Sequence, residues 1–572
     1  MEKSFSNGKL STSESYYSDS INLKDLEALE LRLQDLLHAS VLSVDDLVDW
    51  LADERKLLDK INEAMTGHRI DFYRDTSNSV KRDIYSFDQV KVQPLLTKYQ
   101  AEFDKKFCEC PFTNQLDDSY YSLMRNVRRA RIELFREENI PLTVREQELI
   151  TRYSEIMGGL MIEWDGETKS YSFVKAQVDS PDRAVREKAW HGLSKAHNLV
   201  KTEIDEIMNE LVRLRHQMAI NAGFENYRDY LFKLKNREYS IQDCYNFHES
   251  VEKHVIPTWD RLAKVFQAEL AIDTYRPWDI GPCTIHGIPF STVTELMDGM
   301  EQMLSKTDSY FLEKFQFMRE NGLLDLEARQ GKSPGGFCDP LPASKNSFIF
   351  SSFSPSHVAI IVLIHELGHA LNEYLQFDSE FGKHEFNHRE EVAELYSHSL
   401  ELLLLDKLNT FYSDKNELKN AQREELRRVF NMLINPLSGD LFQHWIYTNP
   451  NHTPEERDAK YLEINKRFMY SPVDITGLES YIGASWINSI HFFAYPFYKI
   501  EYAISMLGAL QLLQIYRENP SKAIELFKQG AGTNYNQSIA QIYHDTGVKF
   551  NFSEQTIEKS AKFVERLILE FE

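Results

Sequence analysis

His365 and His369 stand four residues apart with Glu366 beside the first, in the order His-Glu-Leu-Gly-His. Residues four apart on a helix share one face at about 5 to 6 Å, so two imidazoles at this spacing can both reach one zinc ion at about 2 Å. Glu366 is then placed to take a proton from a zinc-bound water, the chemistry of metal-assisted hydrolysis. The surrounding segment, SHVAIIVLIHELGHALNEYLQ, is apolar around nearly its whole circumference, which marks a buried helix. Burying a carboxylate and two imidazoles there is costly unless they are paired or hold a metal. A catalytic zinc takes three protein ligands and keeps one position open. The longer pattern HExxHxxGxxH does not supply the third, because Asn372 and Leu375 occupy its glycine and last histidine positions. The next helical segment, REEVAELYSHSLELLLLDKL, offers Glu390, Glu391, Glu394, His398 and Glu401. Of these, Glu391, Glu394, His398 and Glu401 form a polar stripe at helical spacing, and spacing alone does not choose among them.

The elements that must position these groups are mostly helices. From Ile21 to about Lys235, apolar residues recur three and four apart, as in LKDLEALELRLQDLL, and this predicts a helical lobe. Prolines and glycines in YRPWDIGPCTIHGIP predict a loop over Tyr275 to Pro289. Ser347 to Phe353 is the best strand candidate, read as an edge strand, and Ser354-Pro355 signals the start of the helix that follows. Helical periodicity returns beyond Ala370, so the chain is mainly α with a small sheet next to the metal helix. The expected division is a mobile polar tail over 1–20, a helical lobe over 21–210, and a catalytic unit over 211–572.

A net charge of -23 opposes binding to nucleic acid. The five cysteines, Cys108, Cys110, Cys244, Cys283 and Cys338, are odd in number and dispersed, which fits a reducing, cytoplasmic setting better than a disulfide framework. Cys108 and Cys110 have no second cysteine pair with which to build a metal site. No charged-then-apolar leader opens the sequence, and its wholly apolar stretches fall short of the roughly 18 residues of a membrane span. Nucleic acid and membrane are therefore not expected partners, and the oligomeric state is left open.

Several separated segments, GGFCDP, SFIFSSF, HELGHALNEYL and EVAELYSHSLE, occur in an order that resembles the zinc peptidases of the thimet oligopeptidase and oligoendopeptidase F type. In that family the third ligand is a glutamate on the helix after HExxH, and the matching residue is Glu394, 25 positions after His369. Glu401 matches a further acidic position and is the expected partner orienting a ligand histidine. The segment ASWINSIHFFAYPFYKIEYAISMLGAL resembles the family's C-terminal His and Tyr motif, which makes His491, Tyr495, Tyr498 and Tyr502 candidates for substrate and transition-state contacts. Tyrosines at helical spacing also fit plain core packing. The wording around this motif lacks the thimet-type glycines and places the chain nearer oligoendopeptidase F.

The resemblance implies one zinc per chain and two helical lobes enclosing a deep channel that admits oligopeptides. It implies endopeptidase activity on short peptides through a Glu366-activated water. Ser347, Phe348, Ile349, Phe350 and Ser351 are then expected to pair with the substrate backbone by strand addition. Two other readings remain at the level of sequence: a zinc carboxypeptidase, which needs a cationic site for the substrate carboxylate, and a non-catalytic peptide-binding scaffold, against which the intact metal set argues.

Overall fold

The computed structural model describes residues 21–280, 285, 287–333, 335–353, 355–379, 381, 389–469 and 472–571. The expected tail over 1–20, Cys283, and Ser354 of the helix-start signal lie outside these residues. The architecture is mainly α, as the periodicity predicts. Helices begin where Ser, Thr, Asp or Asn can cap them: Ser43, Asp182, Ser240 and Ser356 each accept a first-turn backbone N–H.

The two largest cores follow from this helical pattern. The helices Leu26–His38, Val44–Arg74 and Gln93–Glu109 enclose Leu33, Trp50, Phe103 and Phe107, all fully buried. The larger core runs from Leu134 to Ile568. The boundary expected at 210/211 falls inside one uninterrupted helix, Arg183–Asn221. Its apolar face carries Ile204, Ile207, Met208, Leu211 and Val212 across that point into the larger core, so no break in pattern marks a domain edge there.

Strands β1 (Met161–Trp164) and β2 (Glu167–Ser170) form a hairpin across Asp165-Gly166, both with positive φ, 53° and 82°. The second sheet contains β3 (Leu324–Glu327), β4 (Gly336–Leu341) and β5 (Asn346–Phe353) in the order β3-β5-β4. β5 runs parallel to β3 and antiparallel to β4, with Cys338 opposite Ile349 and Phe337 opposite Phe350. This corrects the reading of Ser347 to Phe353 as an edge strand. Both edges of β5 are already paired, and Ser347, Phe348, Ile349, Phe350 and Ser351 are buried, so a peptide cannot add to it. The consecutive apolar residues Phe348, Ile349 and Phe350 are the mark of a strand covered on both faces. Among the described residues the outer edges of β3 and β4 have no strand partner, and β4 is the edge strand that packs against the metal helix.

The N-terminal helix Val44–Arg74 reaches this sheet. Arg69 pairs with Asp339, Arg74 Nε donates to Asp325 Oδ2 at 2.9 Å, and the Tyr73 ring packs edge-on against Phe337 and Phe350. Between the two lobes lies a cavity of about 570 Å³, lined by Glu54 and Arg128 on one side and by Pro340, Asn372, Glu373 and Tyr535 on the other.

The metal helix, His357–Asp378, is long and apolar enough to cross a membrane by length and composition, yet 72% of that window is buried in the fold, where it forms core. It lies against the helix Glu390–Leu403 with Gly368 at the crossing. A Cβ on Gly368 would stand 2.5 Å from Ser397 Cα and 2.9 Å from the Tyr396 carbonyl oxygen, both backbone atoms that cannot swing away. Gly368→Ala is expected to destabilise the protein by about 1–3 kcal/mol. It should also loosen zinc retention, because it pushes away the helix that carries Glu394. Urea denaturation and zinc content check this, and an unchanged midpoint would show that the two helices have slack.

Candidate metal centre

The two packed helices bring three donors to one point. His365 Nε2 lies 3.2 Å from His369 Nε2 and 3.4 Å from Glu394 Oε2, and His369 Nε2 lies 3.8 Å from the same oxygen. Two imidazole nitrogens facing each other beside a carboxylate are a poor hydrogen-bonding arrangement and a good donor set for zinc, so these residues fit the ion. Of the five carboxylates and imidazoles offered by the next helix, Glu394 is the one that meets both histidines. Glu390 and Glu391 cluster instead with Glu501, where Lys235 Nζ stands 2.9 Å from Glu501 and 3.6 Å from Glu390. His398 and Glu401 sit behind His365.

Glu401 orients His365. Its Oε1 lies 2.6 Å from His365 Nδ1; a carboxylate only accepts, so the proton is on Nδ1 and the Nε2 lone pair is left for a metal. Glu401 also accepts from Arg428 and lies 3.5 Å from His398 Nδ1. Burial opposes its charge, but Arg428 and His398 outweigh burial and hold it well below the usual carboxylate range. Glu394 is held down in the same way, against burial, by the neighbouring histidines and by a hydrogen bond from Tyr498. Burial lowers His369 to about 4. His365 is lifted to about 9, since its bond to Glu401 and the charges of Glu394, Glu401 and Glu366 overcome burial. Glu366 is raised to about 7, chiefly by burial, with Glu394, Asp339 and Glu401 adding to the rise against His365.

The segment after the short helix His491–Ala494 closes the site. Pro496, a residue that suits a helix's first turn, does not open the next helix. It lies in a turn, and the helix begins at Lys499 with Tyr498 as its cap residue. Phe497 takes a left-handed φ of 59°, fully buried, with its N–H bonded to Gln443 Oε1 at 2.9 Å. This turn aims the tyrosines in different directions. Tyr498 donates to Glu394 Oε1 at 2.7 Å, so its hydroxyl is committed to a candidate ligand. Tyr502 OH stands 3.3 Å from His491 Nε2. Tyr495 is half exposed, its ring 6.0 Å from that of His491. Burial lowers His491 to about 4, with Lys499 assisting, so its ring is neutral at neutral pH.

Sequence reasoning missed Arg428, which is reached only through the fold, and Asp339, whose charge acts on Glu366 from β4. The Tyr498 contact makes a prediction. Tyr498→Phe is expected to weaken zinc binding about 10–100-fold, measured by competition with a chromogenic chelator; an unaltered affinity would make the contact incidental.

A helical two-lobed fold, a small sheet against an HExxH helix, and a His-His-Glu set completed from the neighbouring helix define a class of helical metallopeptidase-type scaffold. The chain belongs to Peptidase family M3, whose profile matches residues 176–539. Oligopeptidase A of Escherichia coli (strain K12) is 22% identical over 263 residues, which cover 36% of this chain and 38% of that protein. The chain thus aligns with well under half of that relative's length. Among solved structures, PZ peptidase A with a bound inhibitor superposes with a TM-score of 0.88 at 22% identity, over 97% of this chain and 99% of that one. An oligoendopeptidase F from Bacillus anthracis strain Ames gives 0.85 at 22% identity, over 98% and 99%. At these identities the likeness is one of fold, and it agrees with the expected nearness to oligoendopeptidase F.

Proposed function

We propose that the chain is a cytoplasmic zinc endopeptidase that hydrolyses internal bonds of short peptides. The observation that carries this reading is the convergence of His365, His369 and Glu394 beside a buried Glu366. Free Cys108, Cys110, Cys244 and Cys338 suit the reducing compartment it assumes. His365, His369 and Glu394 would hold zinc, which supplies Lewis-acid polarisation of the scissile carbonyl and acidifies water toward a pKa of about 7. Glu366 takes the proton of the attacking water and returns it to the departing amine. The neutral His491 ring and the Tyr502 hydroxyl donate to the oxygen that becomes negative in the transition state, where such donors raise the rate. Tyr498 and Glu401 hold Glu394 and His365 in position. The role first given to β5 passes to β4, whose open backbone edge can pair with an extended peptide of any sequence. The N-terminal helices closing over the sheet favour short chains over folded proteins.

The test is an internally quenched peptide blocked at both ends. Internal cleavage by zinc-loaded protein, lost on chelation and restored by zinc, supports the reading. Cleavage confined to peptides with a free C-terminus would replace it with the carboxypeptidase reading, and inertness of a fully zinc-loaded protein would leave the binding scaffold.

A further inference from the structure

Far along the chain from the HExxH helix, a second group of ligand-type side chains meets in the core. Cys244 and His248 lie four apart on the helix Ile241–Ser250, and Asp440 and His444 lie four apart on the helix Lys415–Thr448. This is the spacing that lets His365 and His369 act together. All four residues are at most 1% exposed. One donor atom each of Cys244, Asp440 and His444 lies within 4.8 Å of the other two. His248 Nε2 stands 3.0 Å from Asp440 Oδ2.

Hydrogen bonding within the cluster does not account for it. His444 Nε2 is 3.2 Å from Asp440 Oδ2 but is not aligned to bond it, and neither ring nitrogen of His444 has a hydrogen-bond partner. Asp440 Oδ1 and His248 Nδ1 are also buried without one. Buried polar atoms left unmet are costly, and a partnerless His444 ring beside the Cys244 and Asp440 donors calls for a shared partner. The chemistry of that partner follows from the donors: a thiol sulfur, an imidazole nitrogen and a carboxylate oxygen suit a zinc-class ion. With Cys244 as thiolate, the cysteine and the aspartate supply the two negative charges that balance a divalent cation.

We propose that Cys244, Asp440 and His444 bind a second divalent ion of the zinc class, with His248 orienting the Asp440 carboxylate. Binding forms the metal–sulfur bond and releases the Cys244 proton to solvent. The ion would join two helices directly beneath the turn that aims Tyr498 and Tyr502. The His444 ring packs 5.1 Å from that of Phe497, and the adjacent Gln443 accepts the Phe497 N–H. The site would thus brace the turn that places Tyr498 and Tyr502 without touching substrate, as outer partners do around metal centres.

Cobalt separates the two sites, because the set formed by His365, His369 and Glu394 contains no sulfur. Wild-type protein loaded with Co²⁺ is expected to bind two ions per chain and to show thiolate-to-cobalt charge transfer in the near ultraviolet. Cys244→Ser should lose that absorption and one ion. The His365→Ala/His369→Ala double variant should lose the other ion and keep the absorption. A wild type that binds one cobalt with no thiolate absorption overturns the proposal, whatever the variants do. So does a thiolate band that survives in Cys244→Ser. Because the set formed by His365, His369 and Glu394 contributes no thiolate absorption, failure here is independent of whether the peptidase reading stands.

Discussion

Glu394→Ala is expected to strip the protein of stoichiometric zinc and to lower kcat/KM by about 10³-fold or more, since a bound metal contributes several kcal/mol of transition-state stabilisation. The reason is geometric. Glu394 Oε2 is the atom that faces both His365 Nε2 and His369 Nε2, at 3.4 and 3.8 Å. Its removal takes away the carboxylate charge that faces the cation directly. It also orphans the Tyr498 hydroxyl, which donates to the same carboxylate at 2.7 Å, while Ser397 keeps its bond to the backbone carbonyl of residue 394 at 3.1 Å. Glu390→Ala, one turn earlier on the same helix, is the control. Glu390 belongs to the Lys235 and Glu501 cluster, so this variant should keep its zinc. Metal content by mass spectrometry and peptide turnover read both variants; equal zinc in the two would reassign the third ligand.

Glu366→Gln should have the opposite signature, with zinc retained and turnover lowered by about 10²–10⁴-fold, the usual contribution of a positioned general base. Glutamine keeps the shape of Glu366 and cannot accept the proton. The pH dependence follows from the same carboxyl. Burial lifts it to about 7, and a cation on the adjacent ligands pulls it back down. A base works only when ionised, so kcat/KM of the wild type should rise with pH along an acid limb whose midpoint lies below about 7. Asp339→Asn removes one of the negative charges that raise Glu366, and should move that limb to lower pH. Full activity in a zinc-loaded Glu366→Gln variant would sink the general-base assignment, and a limb that moves upward in Asp339→Asn would exclude the electrostatic link.

Much of this centre was legible before the fold was known because its main relation is local. Four residues of helix place His365 and His369 on one face whatever lies around them, and an apolar helix burying them signals a compensating ion. The helical class and its capped starts were legible for the same reason. The third ligand was different in kind. Spacing left Glu391, Glu394, His398 and Glu401 open, and only resemblance selected Glu394; in space, the selection is made by the approach of two backbones at Gly368 and Ser397, which fixes the register of one helix against the other. A left-handed Phe497 decided which tyrosine meets Glu394 and which meets His491. Pairing on both sides made β5 central and left β3 and β4 as the edges, a fact about neighbours that a single strand's residues only suggest. The partition of the lobes likewise rested on which apolar faces pack together, and the helix Arg183–Asn221 carried one of them straight through the expected boundary. The sequence by itself thus determined the groups able to hold a metal and move a proton, since helical periodicity is set within a few residues. Long-range packing alone decided which carboxylate, tyrosine and strand edge join them, because those contacts depend on side chains tens to hundreds of residues apart meeting in one core.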